Sequence, residues 1–146
     1  MIMTDEYIKE KNTKKAFLKR YKKTIVKIER LNMKIFEIEN RMKNIKSVSY
    51  GQEPKGTVRV SMEDLLNDKI EYEKRIARLK DLSNKYKNEI AYVIDELEDI
   101  KEIEVLELSF IDCLDIEDVA SKMGYTKRYT IKLYSKAINN ISLEGH

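Results

Sequence analysis

The chain has 146 residues, enough for one domain or for one small domain carrying an extended arm. Charged residues make up 38% of it, with only four Gly and one Pro, which points away from a sheet and towards long, solvated helices. A single Cys excludes an internal disulfide, and no apolar run approaches the ~20 residues of a membrane span, so a soluble, cytoplasmic, all-α protein is expected, with no membrane partner.

The net charge of +3 hides an uneven distribution. Residues 1–46 hold 14 Lys and Arg against 6 Asp and Glu, whereas residues 61–104 hold 8 against 13. Such asymmetry argues for a contact surface more strongly than the total does, although a Lys-rich helix that is simply solvated accounts for the first segment as well.

In chain order, residues 5–46 read as one long helix. Tyr21, Ile28, Ile35 and Met42 repeat every seven residues, and Phe17, Leu31, Ile38 and Ile45 form a second column interrupted by Thr24. Leu18 and Ile25 widen the stripe. A helix of about 60 Å with one apolar stripe needs a partner for it.

Residues 47–60, SVSYGQEPKGTVRV, form the break, with the only Pro and two of the four Gly. Val58-Arg59-Val60 fits a short extended piece, and Tyr50 and Arg59 read as ordinary loop residues before partner contacts. The second long helix spans 61–100, with Ser61 as its cap and Asp64 in the capping-box position. One column is continuous (Leu65, Tyr72, Leu79, Tyr86, Val93, Ile100), while Lys69 and Ser83 interrupt the other. The basic first helix and the acidic second one suit an antiparallel hairpin over 1–100. Pairing between chains, giving a homodimer, competes with it.

The remainder, 101–146, reads as a helix-turn-helix. Ile103, Leu106 and Phe110 or Ile111 give a short first helix an inward face; whether residues 99–101 break the preceding helix stays open. Asp115 caps the next helix with Asp118 three residues on, and Ile116, Val119, Ala120 and Met123 form one buried stripe. Gly124 stops it, because glycine takes the left-handed conformation without steric cost. Thr126 caps the following helix after a tight turn. That helix carries Lys127, Arg128, Lys132 and Lys136, and no acid appears before Glu144. A short helix, a glycine turn and a basic helix fit a unit that reads the DNA major groove.

Residues 104–141 also resemble region 4 of sigma-70-type transcription factors, roughly E-x-V-L-x-L-x-Y-x-x-G-L-S-x-E-E-I-A-x-x-L-G-x-S-x-x-x-V-x-x-I-x-x-x-A-L-x-x-L. The matching positions include Val105, Leu106, Leu108, Glu117, Val119, Ala120, Gly124, Thr126, Leu133, Ala137 and Ile141. The Met-Gly-Tyr-Thr-Lys-Arg run behind a long helix is similar to small phage and prophage proteins of Gram-positive bacteria, the ArpU/RinA-type late transcription regulators. Cys113 stands where that pattern usually has Gly, and Thr130 where it usually has Val.

Two registers compete on the last helix. Spacing alone buries Ile131, Tyr134, Ile138 and Ile141. The resemblance instead implies that Thr130, Leu133, Ala137 and Ile141 are buried, with Ile138 partly covered. It places Lys127, Arg128, Ile131 and Lys132 outward, on a face that contacts the −35 promoter element in that family. In this register Arg128 suits a bidentate contact to guanine, Ile131 a thymine methyl, and Lys127, Lys132 and Lys136 phosphates. Thr126 and the helix N-terminus suit a further phosphate, and Tyr129 completes the expected DNA-binding set.

Catalysis finds no support: the single His146 is terminal, one Cys gives neither metal cluster nor nucleophile–base pair, and no Gly-rich phosphate loop is present. No cofactor is expected. The expected function is a sequence-specific DNA-binding transcription regulator of phage type, binding double-stranded DNA and, through its long helices, RNA polymerase or a second copy. The alternatives are a small terminase-like packaging protein and a coiled-coil adaptor whose last domain binds protein rather than DNA.

Overall fold

The computed structural model describes residues 4–47 and 57–145. Among these residues five helices follow one another: α1 (Asp5–Ser47), α2 (Thr57–Asp95), α3 (Ile100–Phe110), α4 (Ile116–Met123) and α5 (Lys127–Asn140). Among the described residues there is no strand, so the chain is all-α, and no helix is long and apolar enough to cross a membrane. Tyr50 and most of the expected 47–60 loop lie outside the described residues.

Two helix boundaries differ from the sequence reading. α2 begins at Thr57, so Val58-Arg59-Val60 is helical rather than extended, and Ser61 lies inside the helix rather than capping it. Each β-branched residue lowers helix propensity by well under ~1 kcal/mol, too little to stop propagation from the strong helix formers that follow. At its other end α2 stops at Asp95 instead of running to residue 100. Asp99 accepts from the backbone N–H of Lys101 at 2.9 Å and caps α3, which makes residues 96–99 a true break. Ile100, the expected end of the continuous apolar column, is consequently 77% exposed.

The chain divides into two compact units, one joining the segment up to Lys23 with that from Ser83 onward, the other covering Thr24–Leu82. In the first, α3, α4 and α5 each pack against the other two. Val105, Leu106, Val119, Ala137 and Ile138 are fully buried there, and so are Leu18 of α1 and Ile90, Val93 and Ile94 of α2. Each of the Val, Leu and Ile side chains among them contributes about 1.5–3 kcal/mol of burial. The compact unit takes in the ends of α1 and α2 together with residues 101–145, and side chains from both long helices join the core of the three short ones. Arg20 reinforces this junction, its guanidinium lying 4.3 Å from the Phe17 ring centre and 4.5 Å from that of Tyr86. Its Nη2 donates to Glu89 Oε2 at 2.9 Å.

In the second unit Ile28, Ile38 and Ile76 are buried, and Leu31, Ile35, Leu65 and Leu79 are half-buried. Lys69, which interrupts the apolar column of α2, reaches Glu39 of α1 at 3.6 Å and Glu73 at 4.0 Å. Lys34 lies over the Tyr72 ring at 5.5 Å.

Candidate nucleic-acid interface

The candidate interface is shaped by how α4 hands the chain to α5. Asp115 accepts from the N–H of Asp118 at 3.0 Å and so caps α4. Gly124 ends that helix at φ 74°, ψ 29°. The N–H of Tyr125 reaches back to the Ala120 carbonyl at 3.0 Å and that of Gly124 to Ser121 at 3.3 Å, the two-bond closure of a Schellman motif. Thr126 then accepts from the N–H of Tyr129 at 3.1 Å, opening α5 two residues after the stop. Tyr125 and Tyr129 meet edge to face, 4.8 Å between centres, which fixes the turn from its outer side.

The preceding connection follows a similar plan with a different residue. Cys113 adopts φ 58°, the left-handed region that favours glycine. Where the resemblance has a glycine, a residue bearing a β-carbon thus holds a strained conformation, within a connection of residues 111–115.

Along α5, Thr130, Leu133, Ala137 and Ile138 are buried, whereas Ile131 is 46% and Tyr129 43% exposed. Of the two competing registers, the one that turns Ile131 outward is observed, and Ile138 is fully rather than partly covered. The Thr130 hydroxyl, fully buried, donates to the Thr126 carbonyl at 2.8 Å and so costs the core no unsatisfied group. Phe110 stacks on Tyr134 at 5.6 Å, and burial pushes the Tyr134 phenol above its ordinary value.

Lys127, Arg128, Ile131 and Lys132 are all exposed on the first turn and a half of α5. Among the described residues Arg128 and Lys132 form no ion pair. Lys127 differs, since its Nζ meets Glu117 Oε1 at 2.8 Å. That bond holds the Glu117 carboxyl below the ordinary carboxylate range, while the charge of Asp115 pushes Asp118 above it. Lys136 is exposed but borders a groove lined by Glu96, Glu98, Asp99 and Glu102, so its surroundings are acidic.

No residue pattern foretells what lies against the far half of α5. Lys14 Nζ donates to the Asn139 carbonyl at 2.8 Å, Asn139 Nδ2 to the Tyr7 hydroxyl at 2.8 Å, and Lys11 to the Ser135 hydroxyl. The first turns of α1 thus cover the outward side of α5 at Ser135 and Asn139 and leave the side at 127–132 open. On the opposite flank the buried Glu102 accepts from Asn140 Nδ2. No protein-family model, curated protein or solved structure matches the chain.

Proposed function

We propose that the chain is a sequence-specific DNA-binding transcription regulator of phage or prophage type, with a sigma region 4-like helix-turn-helix (α4, Gly124 turn, α5) as its reading head. α5 would enter the major groove by its N-terminal half, the half that α1 leaves uncovered. The observation that carries this reading is the exposed row Arg128, Ile131, Lys132, which combines unpaired cations with one apolar side chain on a helix free of acids. Arg128 is suited to a guanine edge, Ile131 to a thymine methyl, and Lys132 and Lys127 to phosphates on either side. Thr126 and the free N–H groups of the first turn of α5 suit one more phosphate. Tyr129 stands at the rim, and Lys136 lies at the acidic margin, where a phosphate contact is weakest.

α1 and α2 are read as an antiparallel helical hairpin, consistent with Glu39 meeting Lys69 while Lys34 lies over Tyr72 within the second unit. Its role would be contact with RNA polymerase or a second copy, acting beside a complete sigma factor. Selecting bound fragments from host and phage genomic DNA with the purified protein tests the reading. Enrichment of sequences upstream of structural or packaging genes is expected. Recovery of fragments at random, or of none, would refute it.

A further inference from the structure

A second surface lies in the Thr24–Leu82 unit, on the long helices whose proposed role is contact with a partner, and stands apart from the DNA-reading residues of α5. Lys27, Arg30 and Lys34 of α1 and Arg75 and Arg78 of α2 surround one groove of about 450 Å³, and no carboxylate lines it. Its floor is Leu31 and Leu79, both half-buried. Positions 27, 30 and 34 lie on one face of α1 at the i, i+3, i+7 spacing, and 75 and 78 share a face of α2. Two cationic rails therefore flank a strip of leucine. Lys34 and Arg75 also lie over the Tyr72 ring, at 5.5 and 5.7 Å, and Arg75 makes a long carboxylate contact, 3.7 Å to Glu71 one turn back.

We propose that this groove docks an acidic amphipathic helix of a partner protein. The charge complement decides the sign of the occupant: five gathered cations repel one another, and carboxylates brought between them relieve that repulsion. The floor decides its class. A nucleic-acid backbone offers phosphates but nothing apolar to cover Leu31 and Leu79, whereas a helix with leucines on one face and acids beside them matches floor and rails together. Two packed helices with an open groove between them are also the geometry that a third helix completes.

The experiment uses the full chain and a fluorescein-labelled, helix-forming peptide with leucines at i, i+3, i+4 and i+7 flanked by glutamates, followed by fluorescence anisotropy. Two matched peptides, one with Gln for every Glu and one with Ser for every Leu, separate charge from apolar contact. Saturable binding of the first peptide is expected, weakened about tenfold or more by either replacement. The variant Arg30→Glu with Arg78→Glu, its helicity verified by circular dichroism, should lose binding to a similar degree. The variant Lys127→Ala with Arg128→Ala should bind the peptide like the unaltered protein, which keeps this proposal separate from the DNA-binding one. Absence of peptide binding, or indifference to the charge reversals, would overturn it. So would equal binding of the serine peptide, or its displacement by duplex DNA from the Lys127→Ala, Arg128→Ala protein, since either would mark a surface for polyanions in general.

Discussion

Lys127 Nζ lies 2.8 Å from Glu117 Oε1, tying the first turn of α5 to the first turn of α4. On the proposed reading this pair competes with DNA for the lysine, because a phosphate and Glu117 require the same ammonium. Glu117→Gln should therefore strengthen binding to duplex DNA, by about threefold at low salt, and the gain should shrink as salt rises. Unchanged or weaker binding would remove Lys127 from the interface.

The same contact sets a pH dependence. The Glu117 carboxyl is held below its ordinary value by the Lys127 hydrogen bond, so the pair favours the folded state above that ordinary value. This contribution disappears as pH falls through the depressed folded value. Following the Glu117 carboxyl by NMR titration should show its midpoint move upward in Lys127→Ala; an unmoved midpoint would mean that the two groups do not interact in solution.

Two left-handed residues make opposite predictions. Cys113 has φ 58° and carries a β-carbon, whereas Gly124 has φ 74° and does not. Cys113→Gly should relieve about 1–2 kcal/mol of strain and lose part of that to the freer unfolded chain, leaving a net gain of about 0.5–1 kcal/mol. Gly124→Ala meets no atom within 4 Å of the new β-carbon, so its cost, about 1 kcal/mol, is conformational alone. Denaturant unfolding of both variants measures this, and a destabilised Cys113→Gly would contradict it.

Neighbours on α5 should behave as if on different molecules. Ile131→Ser should leave stability within about 0.5 kcal/mol and weaken DNA binding, since the side chain is 46% exposed. Thr130→Val should be close to neutral for folding, because the methyl gained offsets the hydroxyl bond and the Thr126 carbonyl keeps its backbone partner, the N–H of residue 130 at 3.0 Å. Thermal melts and a binding assay on the two variants separate these effects. A large loss of stability in Ile131→Ser would return that residue to the core.

Asn140 Nδ2 donates to the carboxyl group of the buried Glu102. Asn140→Ala should cost about 1–3 kcal/mol in denaturant unfolding, the penalty of a buried polar group left without its donor. A neutral result would mean that water takes its place.

Punctuation was the legible part of this chain. Asp115, Gly124 and Thr126 each announce a helix end by their own chemistry, and each stands where that chemistry is used. Register on α5 was not legible from hydrophobicity, because an isoleucine faces solvent there and a threonine is buried; the sigma-like pattern indicated it instead. The break before α3 had a visible signal that periodicity masked: Asp99 stands three residues before Glu102, while the apolar column ran on through Ile100. Neither the docking of Lys11 and Lys14 on the end of α5 nor the entry of Leu18 into the same core had a local signal. The two hydrogen bonds join residues 124 and 125 positions apart, and both features depend on where the ends of two long helices arrive.

The most direct test is a mobility-shift titration of duplex DNA carrying a selected site, repeated across a salt series for the unaltered protein and for Lys127→Ala with Arg128→Ala. Each phosphate contact contributes about 0.9 to the slope of log affinity against log salt. Affinity should fall steeply with salt for the unaltered chain, and the double variant should bind about 10- to 100-fold more weakly with a shallower slope. Equal affinity and equal slope for the two proteins would place DNA elsewhere on the chain, and absence of binding at low salt would end the DNA-binding reading altogether.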